Sequence, residues 1–209
     1  MKDFKRDSVL IIGFCLLQVL SNLTVMKSVQ VFVFAIPIGS ILYAFSFTWM
    51  DVSNHCLGIN KIRFLLKTMV IVNVLIALWF RLYIVLPTNE WSSDSFEANA
   101  ISLVYGNYYR ITIASVIAGY VSGNANASIF DYFKHHTKTV VYVWSIVSNV
   151  VASCIDGLAF YVIAFAFEKP WNTLFLSATS SAVYKGMISL LSVPMLYFLK
   201  RKGFFNNSQ

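Results

Sequence analysis

The amino-acid sequence predicts an all-α membrane protein: a bundle of six transmembrane helices, N- and C-termini cytoplasmic, forming a single domain over residues 1–209. Three observations carry this reading. Hydrophobic residues make up 58% of the chain and charged residues 12%, against about 25% charged in a typical soluble domain. Six runs are long and apolar enough to reach across a bilayer, which takes about 20 residues of helix. Lysine and arginine are also divided unequally between the segments that join those runs.

The first run, at about 8–26, follows Lys2, Lys5 and Arg6. A cleaved secretory signal would show a small-x-small site after a short apolar stretch. Here the apolar stretch continues, and Gln18 and Asn22, four apart, give it an inward polar stripe. The second run, 29–50, ends at Asp51, and the polar segment Asp51–Gly58 is read as a cytoplasmic loop. The third is 62–86, with Asn73 placed for a helix–helix hydrogen bond and Arg81 near its outer end. The fourth, 101–128, and fifth, 139–167, are long enough to tilt or to extend beyond the bilayer. The sixth is 172–199.

With the N-terminus inside, the cytoplasmic segments hold Lys2, Lys5, Arg6, Lys61, Arg63, Lys67, Lys134, Lys138, Lys200, Arg201 and Lys202. The outer loops hold only Lys27 and Lys169, and the outer loop 88–100 carries Glu90, Asp94 and Glu97. The formal charge of +7 is therefore a topology signal. No basic patch interleaves with exposed aromatics, so nucleic acid is not an expected partner. Cys15, Cys56 and Cys154 lack metal or disulfide spacing, so no metal and no cofactor is expected. His135 and His136, in the basic loop between the fourth and fifth runs, are read as solvated.

An ionisable side chain at bilayer depth costs at least about 2.5 kcal/mol on insertion scales and marks function by default. Arg110, Asp156 and Lys185 sit roughly 14, 16 and 20 Å below the outer ends of runs four, five and six at about 1.5 Å per residue. Polar stripes surround them. Ser177, Ser181, Lys185 and Ser189 recur every four residues, and Ser145, Asn149, Ser153 and Asp156 recur every three or four. Two readings follow: a shared polar cavity, or a structural membrane protein in which Asp156 pairs with a base merely to fix helix register. In the fourth run, Ala114, Ala118 and Ser122, with Gly119 and Gly123, are read as a close-packing face. Asp51 caps a helix, pairs with Lys61 or Arg63, or serves with Asn54 as a cytoplasmic gate.

Several ordered segments resemble the VUT family of queuosine precursor transporters. They are Arg110-Ile111-x-x-Ala114-Ser115-x-x-Ala118 continuing to Ile129-Phe130, and Ser148-Asn149 followed by Asp156-x-x-Ala159-Phe160 and Ile163-Ala164-Phe165. Tyr184-Lys185-x-x-Ile188-Ser189 with Pro194-Met195 and Tyr197, and Asp51 with Gly58, complete the set. The resemblance spans roughly residues 30–200 and departs at Asn54-His55, where many members carry an acidic residue or another base.

The resemblance implies import of a small planar purine-like substrate, a 7-deazaguanine such as preQ0, preQ1 or queuine, across the cell inner membrane for tRNA modification salvage. Its guanine-like edge presents ring and amine N–H donors that a carboxylate such as Asp156 accepts, while Arg110 or Lys185 donates to the ring carbonyl. Asn149, Ser153 and Ser181 complete the candidate binding set, with Tyr105, Tyr109, Trp144 and Tyr184 as candidate stacking residues. A proton or sodium ion as the coupling ion and a homodimer stay open. The alternative is a substrate-binding subunit of an ATPase-driven vitamin-type importer, since the chain has no Walker motif of its own. No HExxH or GxSxG motif is present, so an enzyme is not expected.

Overall fold

A computed structural model describes residues 2–25, 27–31, 34–86, 108–137, 140–192, 194 and 196–198. Six helices are seen among them: α1 (Lys2–Thr24), α2 (Ile38–Leu57), α3 (Ile59–Val85), α4 (Tyr108–His136), α5 (Val141–Phe165) and α6 (Trp171–Leu191). Four are long and apolar enough to cross a membrane: Phe4–Thr24, Ile59–Val85, Val141–Phe165 and Trp171–Phe198. Their outer faces carry large exposed apolar side chains, among them Phe64, Ile71, Leu75, Leu78 and Trp79 on α3 alone. Such a surface suits lipid, not water.

The second apolar run is where sequence and structure part. The described residues of 29–37 are not helical. Strands β1 (Ser28–Val31) and β2 (Phe34–Pro37) form an antiparallel hairpin in the register Ser28↔Pro37 to Val31↔Phe34. The Val29–Phe34 stretch is β-branched and aromatic, so the pleated backbone suits it, and a short apolar run does not by itself distinguish strand from helix. Pro37 then fixes the entry to α2 at φ −61°.

Helix α2 continues seven residues beyond the expected end at residue 50, so the segment Asp51–Leu57 is helix, not loop. Only Gly58, at φ 84°, separates α2 from α3, a backbone conformation that glycine adopts without strain. His135 and His136 likewise belong to the last turn of α4 rather than to a loop. There their basicity suits the negative end of the helix dipole. His136 also stacks on Tyr132. The start expected for the fourth helix, residues 101–107, and the outer loop 88–100 lie outside the described residues.

Helix α2 is the axis of the bundle, packed against every other helix. Its buried face mixes Tyr43, Phe47, Met50 and Val52 with Ser46, Thr48, Asp51, Ser53 and Asn54. Polar groups in a membrane interior must be satisfied within the bundle, and α2 does this helix by helix. Gln18 of α1 donates to Ser46 at 2.8 Å, and Thr48 shares a hydrogen bond with Ser192 beyond α6 at 2.6 Å. Asn54 donates to the Ala127 carbonyl of α4 at 3.0 Å. The inward stripe expected on α1 is present: Asn22 donates to Asn73 of α3 at 2.7 Å and accepts from Ser115 of α4 at 2.7 Å. The packing face read on α4 also holds, since a methyl added at Gly119 or Gly123 would press on Tyr43 or Leu66 at 2.9 and 2.8 Å.

Candidate functional site

Helices α5 and α6 approach closely at Gly157, where an added Cβ would stand 2.9 Å from the Ala178 carbonyl oxygen. That closeness lets the neighbouring residue Asp156 reach across to α6. The Lys185 ammonium donates to Asp156 Oδ2 at 2.5 Å, and both side chains are almost fully buried. The other carboxylate oxygen accepts a long bond of 3.4 Å from Ser122 Oγ of α4. Tyr43 of α2 closes the group: its ring lies 5.0 Å from the Lys185 nitrogen and its hydroxyl 3.3 Å from Ser122 Oγ. Four helices thus meet at one ion pair.

This pair faces a small cavity with about 50 Å3 of enclosed space. One part of the wall is polar, with Ser21, Asn22, Ser40, Ser115 and Ser181; the other is aromatic, with Tyr43, Phe160, Tyr161 and Tyr184. Val25 and Pro37 stand at the hairpin end. Ser181 donates to the Tyr184 hydroxyl at 3.2 Å, one turn before Lys185. The arrangement offers a planar ligand a carboxylate, an ammonium and ring faces inside a low-dielectric bundle, where hydrogen bonds to charged groups are strong.

The sequence-predicted residues divide into three groups. Asp156, Ser181, Tyr184 and Lys185 line the cavity. Asn149 and Ser153 do not. Asn149 lies two turns along α5 from Asp156 and donates to Thr48, Ser145 and Ser189. Ser153 is buried with no hydrogen-bond partner for its hydroxyl. Trp144 packs edge-on against Phe130 at 6.0 Å and is not part of the wall. Arg110 and Tyr109 fall in the first turn of α4, but their side chains, like Tyr105 as a whole, lie outside the described residues.

Asp51 is corrected more sharply. It neither caps a helix nor pairs with Lys61 or Arg63. It lies inside α2 with no exposed surface, accepting from Asn126 of α4 at 2.7 Å and from Ser145 of α5 in a very short bond. The reason is the extension of α2, which moves Asp51 from a helix end into the bundle.

Sequence reasoning missed Ser40, Tyr43, Phe160 and Tyr161. The signal existed for two of them. Ser40 and Tyr43, three apart and followed by Phe47, share one face of α2, but that face was masked while residues 29–50 were read as one uninterrupted helix. Phe160 was seen only as part of a motif, and Tyr161 beside it carries no polar neighbour that would mark it.

Residues 37–199 match a protein family described as "Putative vitamin uptake transporter". The chain is also similar to a protein of Bacillus subtilis (strain 168) named "Probable queuosine precursor transporter". The two are 26% identical over 196 residues, covering 91% of this chain and 82% of that protein. No solved structure matches the chain.

Proposed function

The chain belongs to the family described as "Putative vitamin uptake transporter", and we propose that it imports a 7-deazaguanine precursor of queuosine across the cell inner membrane. All six helices cross the bilayer in this reading, with both termini in the cytoplasm, as the lysine and arginine distribution indicates. The name of the Bacillus subtilis relative supports the substrate class.

The observation that carries the reading is the buried Asp156–Lys185 pair facing an aromatic-walled cavity. A 7-deazaguanine offers two parallel donors, the ring N–H and the exocyclic amine, beside a carbonyl acceptor. Asp156 takes the donors; Lys185, released from the carboxylate, donates to the carbonyl. Tyr43, Phe160, Tyr161 and Tyr184 supply ring faces, each worth about 1–3 kcal/mol where a base stacks. Ser181 and Ser115 hold the rim. A charged pair that opens to the ligand leaves neither charge unpartnered in the occupied state, which an isolated Asp or Lys would not achieve.

The test is the queuosine content of tRNA in a host that lacks precursor synthesis and its own importer, fed nanomolar preQ0, preQ1 or queuine. The intact chain restores queuosine, and Asp156→Asn, present in the membrane at equal level, does not. No rescue by the intact chain with any precursor would sink the reading. Uptake by purified protein in liposomes then separates an autonomous transporter from a subunit that needs an ATPase partner.

A further inference from the structure

One to two helical turns from the Asp156–Lys185 pair lies a second polar layer that the cavity does not include. Its centre is Asp51 of α2, fully buried. Among the described residues no lysine, arginine or histidine forms an ion pair with it; its oxygens meet neutral donors, Asn126 and Ser145 foremost. Asn149 joins the same network through Ser145 at 3.3 Å. A carboxyl so placed calls for a bound cation or a proton, because an uncompensated anion is strongly disfavoured away from water.

The neighbours of Asp51 show what that charge would meet. Asn126 and Asn149 each spend their amide nitrogen on hydrogen bonds, which leaves Oδ1 buried without a partner. Asn54, one turn from Asp51 on α2, spends its nitrogen on the Ala127 carbonyl and leaves its Oδ1 in the same condition. Ser153 Oγ, four residues from Asn149 on α5, is also unpartnered. Buried polar atoms are nearly always paired, so the orphaned Oδ1 atoms of Asn126 and Asn149 on the Asp51 network, with that of Asn54 one turn from it on α2, call for an explanation.

We propose that Asp51, with Asn54, Asn126 and Asn149, forms a sodium site. One carboxylate and several neutral oxygens make a hard donor set of single negative charge, suited to a small monovalent cation. Divalent ions favour more carboxylates, and softer metals favour imidazole or thiolate. No group of three His, Cys, Asp or Glu residues able to hold a metal is found among the described residues. The two layers touch through α2, α5 and α6: Tyr43, Thr48 and Asp51 succeed one another along α2, and Ser189, bonded to Asn149, lies one turn from Lys185. Sodium binding would order the helices that carry the substrate pair, which is how a coupling ion acts. The coupling role rests on the transport reading; sodium binding does not.

The experiment is equilibrium binding of 22Na+ to the purified full-length protein in detergent, without substrate and with choline as the replacement cation. Saturable binding is expected in the intact protein, and its loss in Asp51→Asn. Asn126→Ala and Asn149→Ala keep the carboxylate and weaken sodium by at least about tenfold. These two decide the matter should Asp51→Asn not fold. Absence of binding in the intact protein, equal binding in Asp51→Asn, or full affinity in both asparagine variants overturns the site. An Asp51-dependent response to pH without any to sodium also overturns it, in favour of a proton. Sodium binding in a protein that moves no deazaguanine leaves the site standing and the transport reading fallen.

Discussion

Asp156 and Lys185 stand 29 positions apart in the chain and 2.5 Å apart in the bundle. Breaking a buried pair by removing one partner costs about 3–5 kcal/mol, because the other charge is stranded, whereas replacing both is often near neutral. Asp156→Asn and Lys185→Met should therefore each lower the melting temperature in detergent, and the double variant should recover most of it. If the pair only pins two helices, the stable double variant retains ligand binding; if it contacts the substrate, the double variant is folded and does not bind. Tyr43 gives a finer test. Tyr43→Phe keeps the ring over Lys185 and loses the Ser122 contact, and should weaken binding by about 1 kcal/mol. Tyr43→Ala removes the ring as well and should cost more, both read by ligand titration. Asp156 and Lys185 were legible in the sequence because charge within an apolar run is conspicuous. Tyr43 and Tyr161 were not, because 18 Phe and 11 Tyr spread through the chain make any one aromatic unremarkable until the fold places it.

The boundaries of α2 decided which residues the bundle could use. Four helices were legible to within about six residues at the ends described, since each is one long apolar run, while the fourth, expected to end at residue 128, runs on to His136. The second run was not: its first residues pair as strands β1 and β2, and the polar segment after it extends the helix. Hydropathy responds to burial in lipid and is blind to backbone geometry, and polar residues inside the bundle look like loop residues when only composition is weighed. Two glycines fix this element. Gly39, in the first turn of α2, lies so close to the Ser21 carbonyl of α1 that a Cβ would collide with it, and Ser21 Oγ donates to the Gly39 carbonyl at 2.8 Å. Gly39→Ala should separate α1 from α2 and sharply reduce the folded yield. Gly58→Ala meets no steric neighbour, so its effect is backbone strain alone, about 1–3 kcal/mol of destabilisation. Thermal unfolding of the two variants should rank them in that order.

Across the whole molecule, charge asymmetry and helix count bear on orientation together. In the proposed reading an even number of crossings returns the chain to its starting side, and the basic segments would put that side in the cytoplasm. Green fluorescent protein fused after Gln209 should fluoresce and alkaline phosphatase fused there should be inactive; the reverse pattern would invert the topology. The central position of α2 has a consequence for how the protein is made. Helices α1 and α3 are apolar enough to enter the bilayer alone, and α2 is absent from the helices that meet that standard. The side chains of Thr48, Asp51 and Asn54 find hydrogen-bond partners on segments synthesised after it, and Ser46 accepts from Gln18 of α1 before it. During translation α2 should therefore stall at the insertion machinery until α3 emerges beyond Gly58, so that the two enter as one hairpin. A chain ending at residue 57 should leave α2 outside the membrane, open to a protease, and one extended through residue 85 should protect it.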